Sequence, residues 1–377
     1  MIYLDYAAAT PVDKEVLLRY TEVTTKYFAN PNANHKLGQD AAKLISTATQ
    51  KIASYFGVEV EEIIYTSGAS ESNNLAIKGI AERYKNFGRH ILISCLEHNS
   101  IVSSATRLQE EGFEVEVVPV NQEGLIDINA LKGLLREDTI LVSICTVDSE
   151  IGLKQPIEEI GAILKDYPHC YFHTDATQAV GKIPVHLENV DLLTFAPHKF
   201  YGLMGIGGLI KKKNVSLRPQ MDGGRSTTIY RAGTPDVASI SALERALSLS
   251  FAVMEERYEV VSSYYEKVKN ALLTYPKVSI NNTKNSIPYT LNFSISGIKA
   301  TWMQEKLESF DIYVSTKTSC CPIMTPSKLV YALTRDKNKA LSSIRLSFSH
   351  LTTLEEIDTF IFVFDKIYKE VEGNGEI

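Results

Sequence analysis

Cys170-Tyr171-Phe172-His173-Thr174-Asp175-Ala176-Thr177-Gln178 is a short apolar run that ends on an acid and then on a small-residue turn. Residues 170–174 read as a strand, with Asp175 at its carboxyl end. Ligands of open α/β sheets bind at that end of the strands. Taken alone, Asp175 could equally cap a following helix.

Helical patterns and short apolar runs alternate on both sides of this stretch. Upstream, 41–55 carries apolar residues at helical spacing (Leu44, Ile45, Ala48, Ile52). Further helices are expected over 71–84, 100–111, 128–135 and 157–165, with strands at 63–65, 90–94, 115–119 and 139–144. A strand at 191–195 follows. Such alternation implies an α/β fold with a mainly parallel sheet and helices on both faces.

The pattern changes after Thr234-Pro235. A long helical stretch, interrupted once, covers 237–273. Then come a β-branched run (289–295), a helix (301–308), a strand (312–315), a loop with two adjacent cysteines, a helix (327–333), a strand (343–349) and a final helix (354–371). The reading is a large domain over 12–250 and a smaller α+β domain over 251–377, the latter joined by a strand within residues 1–11.

The 377 residues exceed one ordinary core. A hydrophobic fraction of 44% and a charged fraction of 22% are those of a globular protein. With 39 basic and 45 acidic residues the net charge is −6, so nothing calls for nucleic acid or an anionic membrane as partner. Five cysteines make no disulfide framework, and no Cys/His spacing suggests zinc. Met1-Ile2-Tyr3-Leu4-Asp5 places an acid where a signal peptide needs positive charge. The expectation is a cytoplasmic enzyme.

Three segments carry chemistry. Ser67-Gly68-Ala69-Ser70 opens a helix, and free N–H groups at such a start attract phosphate. Asp175 ends the strand described above. Ala196-Pro197-His198-Lys199-Phe200-Tyr201-Gly202 places a lysine just past an apolar strand, where burying it is costly unless it has a task. A phosphate cradle, an acid and a lysine are the minimum kit for pyridoxal phosphate. Lys199 would bind the aldehyde covalently. Asp175 would keep the pyridine nitrogen protonated so that the ring accepts electrons. His98, following the strand at 90–94, could stack on the ring and shuttle protons.

Over nearly its whole length the sequence resembles the class V aminotransferases of the fold-type-I pyridoxal phosphate enzymes, and within them the cysteine desulfurases. The resemblance is carried by Tyr3-Leu4-Asp5-Tyr6-Ala7-Ala8-Ala9-Thr10-Pro11, Asn30-Pro31 with His35, Thr66-Ser67-Gly68-Ala69, Asn74-Leu75-Ala76-Ile77-Lys78-Gly79 and Glu97-His98. It continues through Glu150-Ile151-Gly152, Asp175-Ala176-Thr177-Gln178, His198-Lys199-Phe200-Tyr201-Gly202, Arg231-Ala232-Gly233-Thr234-Pro235 and Ser343-Ile344-Arg345.

The resemblance implies pyridoxal 5'-phosphate on Lys199, with His98 on the ring face, Asp175 on the ring nitrogen and Gln178 on the ring hydroxyl. Ala69, Ser70 and His198 would contact the phosphate, and Thr234 would reach the phosphate of the second subunit in a homodimer. Arg345 would clamp the carboxylate of the substrate L-cysteine, with Asn30 and Asp148 also among the substrate residues. In Ser315-Thr316-Lys317-Thr318-Ser319-Cys320-Cys321-Pro322, Cys320 matches the nucleophile that takes the substrate's sulfur as a persulfide and passes it to a protein acceptor, for iron–sulfur clusters or tRNA thiolation. Cys95, Cys145 and Cys170 lie in apolar strand patterns and read as small core residues.

The chain departs from the family pattern in places. Asp148-Ser149 stands where the family has two asparagines, the first of which helps to bind the substrate carboxylate; an acid there repels that carboxylate unless it is protonated or turned away. Ala196-Pro197 replaces Ser-Gly, Gly224-Arg225-Ser226 replaces a Gly-Gln-Glu-type segment, and Lys317 stands where glycine is common. Two other functions compete with desulfuration: a related enzyme such as a selenocysteine lyase or aminotransferase, and a non-catalytic scaffold of the same fold.

Overall fold

Period-two alternation decides which side of the sheet each strand residue faces. The structure, a computed structural model, describes residues 1–224, 226–317 and 325–373, so Arg225, Cys320 and Cys321 lie outside the described residues. The first half runs β1 (Ile2–Tyr3), α1 (Lys14–Lys26), α2 (Lys36–Phe56), β2 (Ile63–Thr66), α3 (Ala69–Tyr84), β3 (His90–Ser94), α4 (Asn99–Glu110), β4 (Glu114–Val118) and α5 (Ile128–Leu134). Next come β5 (Thr139–Ser143), α6 (Ile157–Leu164), β6 (Tyr171–Asp175), β7 (Leu192–Phe195), a single 3-10 turn (Pro197–Lys199) and β8 (Gly207–Lys211). The rest is α7 (Val237–Ala252), α8 (Met254–Leu272), β9 (Val278–Ile280), β10 (Thr290–Ile295), α9 (Ala300–Glu308), β11 (Ile312–Tyr313), α10 (Lys328–Thr334), α11 (Lys337–Leu341), β12 (Ser343–Ser347) and α12 (Leu354–Gly373).

A seven-stranded sheet has the order β2-β8-β7-β6-β5-β3-β4. All its strands point the same way except β8, which is antiparallel to both of its neighbours. Ile63, Leu92, Val142, Phe172 and Leu193 face one side, in a core shared with α2 and α7. Ile64, Ile91, Leu141, Leu192 and Leu209 face the other, packed with α3 and α4. The expected mainly parallel sheet is therefore present, covered on both faces.

β8 and α1 were not anticipated. β8 opens with Gly207-Gly208, which lack strand preference. Contact explains them: a Cβ on Gly208 would lie 2.3 Å from the Phe195 ring, and one on Gly207 2.6 Å from the Gly68 backbone. α1 buries only Val16 and Val23, so its periodicity is too sparse to read. α2 begins before residue 41, because the His35 ring accepts a hydrogen bond from Gly38 N and caps it. The long stretch at 237–273 is two helices bent by 67°. No single helix among the described residues is long and apolar enough to cross a membrane.

A second, antiparallel sheet has the order β12-β10-β9, and α12 packs Ile357, Phe360 and Phe364 into the same core as Phe293 of β10. The N-terminal segment joins this region to the large sheet. β1 pairs in parallel with β11, and Asp5 bridges to Ser347 of β12. Ala7 N donates to Ser347 Oγ at 2.8 Å. Three residues on, Thr10 N donates to His198 O at 2.9 Å, and Tyr201 N donates to Thr10 Oγ1 at 2.7 Å. The segment thus ends against the turn that holds Lys199.

Candidate active site

The strands β2, β3, β5, β6 and β7 all end along one edge of the large sheet, and the loops leaving them enclose a cavity of 420 Å³. Ala69, Ser70, His98, Asp148, Asp175, Gln178, His198, Lys199 and Arg345 all line it. Residues from Ala7 to Arg345 meet there because each follows the carboxyl end of a strand, lies on β12 or belongs to the N-terminal segment.

Lys199 closes the 3-10 turn after β7, with Pro197 fixing the first residue of the turn. Phe200 N and Gly202 N both donate to Pro197 O, at 2.9 and 2.8 Å. Tyr201 holds a positive φ of 67°, a conformation that costs a non-glycine residue roughly 1 kcal/mol or more. It is retained by the Thr10 contact and by a 2.7 Å bond between the Tyr201 and Ser349 hydroxyls. The Lys199 amine donates to Ala7 O at 2.8 Å and to Ala8 O at 2.6 Å.

Asp175 is the last residue of β6 and is buried. Its Oδ1 accepts from Thr177 N at 2.9 Å and its Oδ2 accepts from Asn73 Nδ2 at 2.7 Å. Asn73 lies on α3 and also donates to Ser100 Oγ at 2.9 Å. The carboxylate is therefore fixed in direction by two donors. The Thr177 hydroxyl oxygen, also at the cavity wall, is shut off from solvent and has no partner among the described residues.

The start of α3 is open. Gly68, with φ 155°, is its N-cap and offers no side chain to the first N–H groups at Ala69 and Ser70. Glu71 instead bonds back to Ser67 N at 2.7 Å and pairs with Arg231 at 2.9 Å. A sixteen-residue helix thus presents uncapped N–H groups to the cavity, an anion-binding arrangement.

His98 is the N-cap of α4, its Nδ1 accepting from Ser100 N at 3.1 Å. That bond makes Nδ1 an acceptor and leaves the proton of the neutral ring on Nε2. Burial lowers the His98 pKa; Asp175 opposes this and Lys199 adds to it. His198 is pushed further, to about 4, by burial and then by Lys199 and Lys182. Both rings are neutral near pH 7.

Beside His98 lies Glu97, to which the sequence reading gave no role. It is fully buried; Oε1 accepts from Ser94 Oγ at 2.6 Å and from Cys145 N at 2.7 Å, while Oε2 has no partner among the described residues. Burial raises its pKa to about 8 against those two bonds, with Asp175 adding to the rise. From pH 4.5 to about 8 the folded protein keeps a proton that the unfolded chain releases. Glu97 therefore makes stability fall as pH rises through that window, and adds no further slope above it. Glu97→Gln, neutral at every pH, is expected to lose less stability than the parent between pH 5 and 8, by about 1–3 kcal/mol in denaturant titrations. Parallel pH curves for the two proteins would refute this.

Arg345, on β12, is 2% exposed; its Nη2 donates to Asp5 Oδ1 at 2.6 Å and its Nη1 to Ser149 O at 2.7 Å. Asp5 thus orients the guanidinium, a role not read from the sequence because the two lie 340 residues apart.

The expectation for Asn30 is corrected, and Asp148 takes the turned-away alternative. Asp148 borders the cavity, but its carboxylate is turned onto its own loop: Oδ1 accepts from Glu150 N and Ile151 N, both at 2.8 Å, and Oδ2 from Leu153 N at 2.6 Å. Both oxygens are spent on shaping the loop, so Asp148 does not present them to a substrate, although burial still raises its pKa to about 6. Asn30 does not line the cavity; it lies in an exposed turn, where its Oδ1 accepts from Asn32 N at 2.9 Å. Thr234 is exposed and lines a separate hollow of 140 Å³ with Arg231 and Ser226.

A model of the class-V aminotransferase family matches residues 2–360. The chain is 40% identical over 376 residues to a NifS/IcsS protein homolog of Lactobacillus delbrueckii subsp. bulgaricus, spanning 98% of this chain and 97% of that protein. It is 39% identical to cysteine desulfurase IscS of Glaesserella parasuis, spanning 97% of this chain and 92% of the relative. Among solved structures, a NifS-like protein superposes with a TM-score of 0.92 at 32% identity, over 98% of this chain and 99% of the other. SspA in complex with cysteine superposes with a TM-score of 0.82 at 30% identity, over 92% and 99%.

Proposed function

Because the chain belongs to the class-V aminotransferase family, we propose that it is a cysteine desulfurase, converting L-cysteine to L-alanine with pyridoxal 5'-phosphate and leaving the sulfur on Cys320 as a persulfide. The observation that carries this reading is the meeting of the Lys199 amine, the fixed Asp175 carboxylate and the uncapped start of α3 in one cavity. The donor set fits the cofactor. An anion-binding helix start, an oriented acid, an amine and the unpartnered Thr177 hydroxyl answer its phosphate, ring nitrogen, aldehyde and polar rim.

Ala69, Ser70 and His198 would hold the phosphate, Asp175 the ring nitrogen, Gln178 the ring hydroxyl, and Lys199 the aldehyde carbon. When bound, pyridoxal phosphate supplies an electron sink beside the substrate's α-carbon. Lys199 Nζ, held by Ala7 O and Ala8 O, is the group placed to take up and return a proton at that carbon. His98, neutral and with its proton on Nε2, donates without adding charge. Arg345, aimed by Asp5, binds the substrate carboxylate; Asp148 is turned away and leaves that task to the guanidinium. Cys320 forms an S–S bond to the substrate's sulfur as the C–S bond breaks, and the three-carbon fragment takes a proton to become alanine. A protein acceptor then removes the sulfur, in the cytoplasm, for iron–sulfur clusters or tRNA thiolation. Thr234 completes the phosphate site of a second copy in a homodimer.

The test is to supply the purified protein with cysteine and, in parallel, with selenocysteine, in the presence of a reductant. Alanine and sulfide in equal amounts from cysteine are expected. Alanine from selenocysteine alone would sink the reading in favour of a selenocysteine lyase, and a protein that stays colourless with added pyridoxal phosphate would sink it altogether.

A further inference from the structure

Lys182 is a buried lysine with no task in the scheme above. Its Nζ donates to Gln178 Oε1 at 2.7 Å, and the amine lies 5.7 Å from the centre of the Tyr289 ring. Gln178 Nε2 donates to Ala7 O at 2.9 Å. A backbone carbonyl can only accept and a lysine ammonium can only donate, so these two partners leave one orientation for the Gln178 amide. The oxygen end points to Lys182. The N–H₂ end points to Ala7, which lines the cavity and whose carbonyl also receives the Lys199 amine at 2.8 Å.

We propose that Lys182 is a positioning residue: it locks the Gln178 amide with its N–H₂ toward the Lys199 amine, so that the site offers a donor, not an acceptor, to the ring oxygen beside that amine. This rests on the cofactor reading above. Loss of charge on Lys182 does not reverse the lock, because the Ala7 carbonyl still demands the N–H₂ end and the neutral amine still has an N–H for the oxygen end. Burial, with help from Lys199 and Arg345, lowers its pKa to about 7. A donor at the ring oxygen stabilises the negative charge that is left there uncompensated when the nitrogen at Lys199 loses its proton. It should therefore lower the pH at which the cofactor's visible band changes.

The holoenzyme supplies the measurement, namely the pH midpoint of its visible absorbance change. The other charged or titratable groups around Lys199 are Asp175 from β6, His98 at the start of α4, Glu71 from α3, His198 from its own turn, Cys145 and Asp148 from the loop after β5, and Arg345 from β12 with Asp5. They are the same in every variant. Lys182→Met, of similar length but without a donor, is expected to raise the midpoint by about one unit. Gln178→Leu is expected to raise it similarly, and the double variant to match Gln178→Leu alone.

Additive shifts in the double variant would overturn the proposal, since Lys182 would then act by its charge alone. An unchanged midpoint in Lys182→Met would also overturn it. Should Lys182→Met fail to fold, an unchanged midpoint in Gln178→Leu refutes the lock and a raised one supports it. A parent protein that never develops a visible band overturns the cofactor reading and this inference with it, whereas a parent band that titrates normally isolates any failure to Lys182.

Discussion

Lys199→Ala protein forms alanine from cysteine at least about a thousandfold more slowly than the parent, with its fold intact. The loss is large because two tasks fall on one atom. Lys199 Nζ is the only group here assigned both to hold the cofactor's aldehyde and to move the proton at the substrate's α-carbon. The fold survives because the turn is built without that side chain: Pro197 fixes the backbone, and its carbonyl accepts from Phe200 N and Gly202 N. The truncation removes the amine from Ala8 O, while Ala7 O keeps its bond from Gln178 Nε2, so the cost is about 1–3 kcal/mol where the Ala8 carbonyl is shut from water. Alanine release, absorbance after addition of pyridoxal phosphate, and a thermal melt are the three measurements. Appreciable turnover by the variant would mean that another base serves the α-carbon, and the assignment of Lys199 would be wrong.

Cys320→Ala gives the opposite pattern. The visible band of the bound cofactor stays as in the parent, and formation of alanine and sulfide falls at least about a hundredfold. The band stays because none of the cavity-lining groups assigned to the cofactor is changed. Turnover stops because the C–S bond breaks only as a second sulfur takes over the substrate's sulfur atom. Cys320 lies outside the described residues, so its assignment rests on the sequence match around Ser315 to Pro322. Cys321→Ala is the natural control. Full activity in Cys320→Ala with loss in Cys321→Ala would move the nucleophile by one residue.

Most of the large sheet could be read from the sequence, and for a physical reason. Strands such as β3 and β5 are buried on both sides, so they appear as continuous apolar runs bounded by polar residues. β8 could not be read, because its two glycines are dictated by Phe195 and Gly68, residues distant in sequence. The cavity residues were legible as segments following strands. Their partners were not: Asn73 meets Asp175 across 102 residues, and Asp5 meets Arg345 across 340. Lys182 had a local signal, four residues after Gln178 and so on the same face of a helical turn, but nothing in composition marked it as buried. Asp148 shows the limit from the other side. Its charge was legible, whereas the three N–H groups that capture it depend on how the loop folds back.

The first ten residues act as a tether across the reaction chamber. One short stretch of backbone, folded into a turn over residues 6–8, grips the reactive amine through Ala7 and Ala8, steers the anion-binding arginine through Asp5, and braces the strained tyrosine through Thr10. Its anchorage lies at Ile312 of β11 and, on the far sheet, at Ser347 of β12. Any shift of that sheet relative to the other is thereby pulled straight into the bond-making centre, so trimming this leader would slacken lysine, arginine and turn at a single stroke.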